Sequence, residues 1–416
     1  MNKNKRQPRW TPGRRPLIKQ KLIAKLEADL LRRVRSHEGL SRVDLARQLH
    51  LAPSTIGAYV NRLIAEGFLF ERQKVERDLG RPPTLLALNP DGGRFIGVDF
   101  EAENLMATLV DFSQQPIRQI HKKIDRSESA ELVIEKIERS IEELMSDRAR
   151  GVLAIGVGVP GTIDPQNKVA LQYDYIKGWK SVPLVQRLKD RFKVEVFLEN
   201  NIRSMALAEL WFGQGRGLRN FVCLGIRTGI SVGIISGGRL QCGQKNVAGE
   251  MGEWLCPVGL VEHPHGGRER IWRCEELRPL EQLASVPVIV KSIRARRVER
   301  GHSDFVGKQT SIDFEEISQA AKAGEQEVLE ALKPVAQTLG WVMCQISALL
   351  DPQKIILAGP LVKLNEVLLV PLREAVNQFC EVAHQEPPEV VFSQLGEFNG
   401  ALGAAALALH EWKPSR

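Results

Sequence analysis

The stretch SRVDLARQLHLAPSTIGAYVNRLIAEG, residues 41–67, decides how the first part of the chain folds. The Ser41 hydroxyl can accept from a free N–H group in the first turn of a helix. Asp44 stands three residues on, in the position that returns the bond to the cap, so a helix is predicted over SRVDLARQLH. The short link His50–Leu51–Ala52 precedes Pro53, which suits the first position of a further helix because its missing N–H would be unpaired there anyway. That helix, PSTIGAYVNRLIAE, ends at Gly67. Ile56, Val60, Leu63 and Ile64 fall on one face, which leaves Ser54, Thr55, Ala58, Tyr59 and Arg62 on another.

Upstream, Leu22, Leu26, Leu30 and Val34 recur every four residues and Gly39 follows as a stop, so another helix comes first. Residues 1–21, MNKNKRQPRWTPGRRPLIKQK, hold three prolines and no acidic residue. They read as a flexible basic arm, or as a solvated tail with no partner. Downstream, Phe68–Phe70 and TLLALN flank the charged loop ERQKVERDLGRPP, the pattern of a two-stranded hairpin. Three helices and a hairpin over residues 22–90 outline a winged helix-turn-helix. In that fold the helix after the turn enters the major groove by its N-terminal end. Ser54, Thr55, Ala58, Tyr59 and Arg62 are then the candidates for contact with double-stranded DNA, Arg62 for a base or a phosphate. Arg81, between Gly80 and Pro82, resembles a minor-groove insertion. A winged helix used only for protein contact is the alternative.

Charge favours nucleic acid. The 416 residues carry 58 Lys/Arg and 50 Asp/Glu, a net +8. Residues 1–90 hold 19 of the basic and 8 of the acidic residues, a balance of +11, whereas the remaining 326 balance at −3. A polyanion-binding module joined to a near-neutral body is implied. No apolar run approaches the roughly 18–20 residues that span a bilayer, so no membrane partner is expected. The start, Met1 to Gln20, leads into no apolar segment of a secretory signal. Six dispersed cysteines show no disulfide spacing, and a reducing, cytoplasmic location is the simplest expectation.

From Arg94 the texture becomes α/β. RFIGVDF and LMATLVDF read as paired strands, and a helix follows near Ser129–Met145. VLAIGVGVPGTID is a strand running into a Gly/Pro turn, and VEVFLENN a strand ending in polar residues. FVCLGIRTGISVGIISGGRL is a glycine-rich hairpin, KIILAGP a late strand and GALGAAALAL a small-residue terminal helix. Strands that end in Gly or polar side chains, repeated in two halves, predict two α/β lobes with a cleft between them.

In order along the chain, IGVDF, AIGVGVPGTID, KGW, ENN, AGEMGE, DPQKIILAG and LGEFNGALGAAALA resemble the ROK family of bacterial sugar kinases and sugar-responsive repressors. LSRVDLARQLHLAPSTIGAYVNRLIAEGFL and GRPPTLLALNP resemble the DNA-binding domain that the repressors carry and the kinases lack. The resemblance implies an actin-like ATPase fold, with sugar and nucleotide on opposite walls of its cleft. Its first lobe would span residues 91–200, completed by a C-terminal helix at 398–413. The second, residues 201–397, would hold a possible metal loop and an oligomerisation surface.

The departures from the kinase pattern carry as much as the matches. Where the kinases place D-x-G-G-T or G-A-T against phosphate, this chain has Asp99–Phe100–Glu101–Ala102–Glu103. An anion site wants glycine and open amides. At ~4 Å and a surface-like dielectric, each added carboxylate repels a phosphate charge by about 4 kcal/mol. The second motif, usually G-T-G-I-G-x-G, is Arg227–Thr228–Gly229–Ile230–Ser231–Val232–Gly233. The Asp of the kinases' E-N-D triplet is the general base; here the triplet is Glu199–Asn200–Asn201, and an amide cannot take that proton. No ATP and no enzymatic activity are therefore expected.

On the sugar wall, Gly161, Asn200 and Glu250 match family positions, and Asn201 can still hydrogen-bond a hydroxyl. Trp179 is either part of that wall or core. Glu253 replaces a histidine that in the family touches both sugar and zinc. The family's C-x-C is here His263–Pro264–His265, with Cys274 beyond. Glu253, His263, His265 and Cys274 could make a mixed zinc site, with Cys256 a substitute ligand, or the metal is lost. The whole reads as a DNA-binding transcriptional regulator of carbohydrate-related genes, a homodimer or tetramer on a DNA operator, answering to a small sugar-like effector. Repression is the expected sense. A sugar kinase with an accessory DNA-binding domain, or a ligand-independent DNA-binding protein, are the alternatives.

Overall fold

The computed structural model describes residues 17–37, 39–73, 84–146, 151–164, 166–259, 261–264, 270–301 and 314–414. They form two compact units. The first ends at Gly92 and takes in the chain from His410 onward; the second runs from Gly93 to Leu409.

In the first unit, helix α1 (Leu17–Ser36) precedes α2 (Arg42–Leu49) and α3 (Pro53–Ala65), and strands β1 (Leu69–Gln73) and β2 (Thr84–Leu88) form the hairpin. Helix α1 begins at Leu17, inside the segment read from sequence as arm, and so the period starting at Leu22 understates it. The capping box forms as the spacing predicts: the Asp44 N–H donates to Ser41 Oγ at 3.2 Å, and the Ser41 N–H donates to Asp44 Oδ2 at 3.0 Å. These bonds hold the Asp44 carboxyl below its ordinary range, the Ser41 hydroxyl contributing most. His50 closes α2 in the left-handed conformation at φ 53°, which turns the chain into α3. Ile56, Val60 and Leu63 are buried with Leu30, Val34, Leu45, Leu69 and Leu86. The C-terminal tail joins this unit, with the Trp412 ring 5.4 Å from that of Phe68, edge to face.

The second unit repeats one topology. Its first half runs β3 (Arg94–Phe100), β4 (Asn104–Asp111), β5 (Pro116–Lys123), α4 (Ala130–Met145) and β6 (Val152–Val159). A small sheet of β7 (Ile163–Asp164), β8 (Val169–Gln172) and β9 (Lys180–Val182) follows, then α5 (Leu184–Phe192) and β10 (Glu195–Asn200). The large sheet has the order β10-β6-β3-β4-β5, parallel on the β10-β6-β3 side and antiparallel on the other. Helix α6 (Asn201–Phe212) leads to the second half, with β11 (Phe221–Ile226), β12 (Ile230–Ser236) and β13 (Arg239–Gln241). Two hairpins, β14 (Leu255–Val258) with β17 (Glu276–Pro279) and β15 (Val261–Pro264) with β16 (Arg270–Arg273), precede α7 (Glu281–Ala284) and α8 (Val286–Glu299). Then come α9 (Phe314–Lys322), α10 (Gln326–Leu350), β18 (Lys354–Ala358), α11 (Glu366–Val382), β19 (Glu389–Phe392) and α12 (Asn399–Glu411). The order β13-β12-β11-β18-β19 repeats that of the first sheet strand for strand, which makes the two lobes expected from the sequence. Their strands are apolar on both faces because helices cover both.

Helix α12 lies on the first sheet at backbone distance. A Cβ on Gly156 of β6 would stand 1.8 Å from the Ala404 carbonyl oxygen, and one on Gly403 would stand 1.7 Å from the Ser204 carbonyl oxygen in α6. No side chain fits at either place, so α12 comes onto β6 at Gly156 and onto α6 at Gly403 with only a hydrogen between. Gly403→Ala should therefore cost about 3 kcal/mol or more of stability, since overpacking a rigid core forces backbone to move. A chemical-denaturation midpoint should show the loss. Gly151→Ala, whose Cβ would meet nothing within 4 Å, should leave that midpoint unchanged.

Candidate DNA interface and interlobe cleft

Helix α3 opens without a side-chain cap. Ala52 supplies no oxygen, the first turn holds no acidic residue, and Ala52, Pro53 and Ser54 are exposed. The first N–H groups thus face solvent at the positive end of the helix dipole, an arrangement that accepts a phosphate. Ala58 is also exposed, while Thr55 and Tyr59 are half-buried on the same flank.

Arg62 differs from the sequence expectation. Its guanidinium forms an ion pair with Glu27 of α1, a fully buried carboxylate, and lies 5.0 Å from the centre of the Tyr59 ring. Arg62 braces α3 against α1 instead of standing free on the outer face. Arg81 lies outside the described residues.

In the second unit the motif residues meet across the cleft. Arg227, from the β11–β12 turn, donates through Nη2 to Asp99 Oδ2 at 2.7 Å and through Nη1 to Oδ1 at 3.3 Å. Its Nε lies 3.2 Å from Glu101 Oε2. The Thr228 N–H donates to Glu101 Oε1 at 2.9 Å, and the Thr228 hydroxyl donates to the same oxygen. Tyr173, just after β8, completes the set: its hydroxyl is 2.9 Å from Thr228 Oγ1 and accepts the Ala102 N–H at 3.2 Å. An ionised carboxylate only accepts, so each hydroxyl has one consistent direction: Ala102 N–H to Tyr173, Tyr173 to Thr228, Thr228 to Glu101. Burial raises the Asp99 carboxyl, an effect that Arg227 offsets in part. Burial alone would favour a neutral Arg227, but Asp99 and Glu101 outweigh it and keep the guanidinium charged. Glu103, expected beside Glu101 as a second repulsive charge, instead turns outward to Arg126 at 2.7 Å.

The sugar-wall residues lie partly together. Gly161 has φ 73°, and its carbonyl accepts from Asn200 Nδ2 at 2.9 Å. Asn200 Oδ1 caps α6 by accepting the Ile202 and Arg203 N–H groups at 2.9 and 3.1 Å. Asn200 thus has one amide hydrogen left to offer a ligand. Asn201 follows as the buried first residue of α6. Beneath them Arg203 donates to Glu199 at 2.7 Å and to the Asn246 carbonyl at 2.9 Å. Glu250 accepts from Ser231 Oγ at 3.0 Å; its surface is open to solvent, yet surrounding atoms raise its carboxyl by desolvation. Glu253 is exposed and, after burial, is the next largest influence raising Glu281. Trp179 is core, its ring 4.9 Å from that of Phe100.

The zinc candidates are not assembled by the described residues. Glu253 and Cys274 are exposed, His263 is described by its strand backbone alone, and His265 lies outside the described residues. Among the described residues no group of three or more His, Cys, Asp or Glu is placed to hold a metal. Cys256 is buried, and burial pushes its thiol up to about 11.

Sequence reasoning did not identify Tyr173, Arg203 or Glu281, and it noted Arg227 only as a lost glycine. The available signal was a pair of complementary departures, a carboxylate gained at Glu101 and a guanidinium gained at Arg227.

A winged helix-turn-helix DNA-binding model matches residues 25–69, and the ROK family model matches residues 95–411. The chain belongs to the ROK family. It is 26% identical to the xylose repressor of Caldicellulosiruptor bescii over 406 residues, 96% of this chain and 98% of that protein. The glucokinase of Thermotoga maritima is 30% identical over 320 residues, 76% of this chain and 96% of that enzyme. In fold, it superposes on a crystal structure described as a ROK family transcriptional regulator, a homologue of the E. coli MLC protein. The TM-score is 0.72 at 23% identity, covering 94% of this chain and 97% of the other.

Arg62→Met should deprive buried Glu27 of its guanidinium and lower the stability of the first unit by about 3 kcal/mol, as broken buried pairs do. The double variant Glu27→Gln/Arg62→Met should recover part of that loss in a thermal melt. A melt unchanged by Arg62→Met would return Arg62 to the outer face.

Proposed function

We propose that the protein is a DNA-binding transcriptional regulator, a repressor of carbohydrate-related genes, acting in the cytoplasm and released or retained on DNA by a sugar-like effector in the interlobe cleft. The observation that carries this reading is the uncapped, exposed start of α3 with Ser54 and Ala58 beside it, set in the part of the chain whose charge balance is +11. The match over nearly full length to a xylose repressor supports it. Two such heads in a homodimer or tetramer would read the two halves of a pseudo-palindromic operator. In the cleft, Gly161, the spare hydrogen of Asn200, Asn201, Glu250 and Glu253 supply hydroxyl-binding donors and acceptors. A ligand that binds one separation of the lobes better than another shifts the equilibrium between them.

The glucokinase relative keeps a second reading open, a sugar kinase with an added DNA-binding domain. Asn201 argues against it, because a carboxamide has no basic oxygen for the sugar hydroxyl proton. The reading assigns no step to zinc or ATP.

Fluorescence anisotropy on operator DNA should show affinity falling about a thousandfold between 50 and 200 mM salt if roughly six phosphates are contacted. Salt-independent binding without sequence preference would sink the proposal. In a thermal-shift panel of sugars, the effector at a hundred times its Kd should add about 2.7 kcal/mol of stability. Asn201→Ala and Glu250→Ala should lose that shift while DNA binding without ligand persists. ATP-dependent phosphorylation of a hexose by the purified protein would favour the kinase instead.

A further inference from the structure

Three donors converge on one side chain in the cleft. The Thr228 amide, the Thr228 hydroxyl and Arg227 Nε all point at the two oxygens of Glu101, the last at 3.2 Å. An amide, a hydroxyl and a guanidinium around one point is the donor set of an anion site, and here the anion belongs to the chain. Glu101 comes from the end of β3 in the first lobe; Arg227 and Thr228 come from the β11–β12 turn in the second. Every bond in the set crosses the cleft. Arg227 also grips Asp99, and its side chain keeps only 11% of its surface, so the contact is shielded from the screening that weakens surface pairs.

We infer that Glu101 is a resident anion: its carboxylate fills an anion cradle built by Arg227 and Thr228 of the opposite lobe, latches the lobes there, and excludes free phosphoanions from the place. The closing of the cleft is then referred to a contact within the chain and needs no nucleotide. Tyr173 ties the latch to the sugar wall. Its hydroxyl holds Thr228 on one side and Ala102 on the other, and it follows Gln172, whose carbonyl would stand 2.3 Å from a Cβ on Gly161. A ligand pressing on the Gly161 turn therefore presses on the segment that carries Tyr173. The latch itself does not rest on the effector reading, and its test uses no sugar.

Hydrogen–deuterium exchange on the full chain, followed at the peptide containing Thr228, tests the inference, with inorganic pyrophosphate as the probe. In the wild-type protein the Thr228 amide should be protected, and millimolar pyrophosphate should change nothing. In Glu101→Ala the amide should exchange at least tenfold faster, and pyrophosphate should restore protection by entering the vacated cradle. Arg227 keeps Asp99 in that variant, so the fold should hold; if it does not, Glu101→Gln, whose one carbonyl oxygen can still accept from Thr228 but whose NH2 group cannot accept from Arg227 Nε, should exchange faster than the wild type by a smaller factor. Equal exchange in wild type and variant would overturn the latch. Protection of the wild type by pyrophosphate, or none of the variant, would overturn the resident anion.

Discussion

The second unit is organised around the place where two helices touch without side chains between them. Gly403 of α12 lies on the Ser204 carbonyl of α6, and Gly156 of β6 lies under α12 at the Ala404 carbonyl. The two helices are thereby fixed to each other and to the first sheet, while α6 also packs on β11 and β12 of the second. The contact leaves no room for a side chain larger than hydrogen, which would need more than an ångström of backbone shift. Asp99 sits at its edge, so near Gly400 that a Cβ there would come within 2.4 Å of the carboxylate. The Asp99 end of the cleft's ionic contacts is therefore set in closely packed backbone.

That anchoring explains how so many charges are tolerated inside. Asp99, Arg203, Arg227 and Glu209 are all buried or nearly so; Arg203, Arg227 and Glu209 are each held by at least two partners, and Asp99 is held by both terminal nitrogens of Arg227. Glu209 accepts from Ser393, Asn399 and the Gln214 N–H, and although burial raises its carboxyl, those bonds all act to bring it back down. A buried ion pair of this type adds little net stability compared with apolar packing, but losing one partner is expensive. Such networks therefore fix geometry more than they strengthen the fold. In this chain they fix where the lobes face each other.

The legible parts of the sequence were those decided within one or two turns of chain. Ser41 with Asp44, Pro53 and the period of Ile56, Val60 and Leu63 gave the helices of the first unit because caps and faces are local properties. The apolar runs RFIGVDF and VLAIGVGV gave strands for the same reason. Apart from the strand KIILAGP, the region of α8 to α11 was not divided into helices, and Pro334 inside the 25-residue α10 shows why. A proline there costs about 3 kcal/mol by propensity, and only burial of Val335, Leu339 and Met343 against neighbouring elements outweighs it. The Arg62–Glu27 pair was not legible because the face of α3 is apparent from period, but the carboxylate beside it on α1 is not. The Glu101–Thr228 bond joins residues 127 positions apart. Each substitution alone reads as a lost phosphate motif; only the fold shows that one answers the other.

The division of charge along the chain takes on a physical meaning at this point. In the first unit α3 starts at exposed residues with no side-chain cap and no acidic residue in its first turn, in the part of the sequence that holds the excess of Lys and Arg. In the second, the corresponding amide of Thr228 is already bonded to a carboxylate that the chain supplies. An anion-binding group can be kept available or satisfied internally, and the two units take opposite courses. The first leaves the start of α3 without a side-chain acceptor. The second spends its donors on Glu101, and so converts a place suited to binding a phosphate into one that sets the position of two lobes.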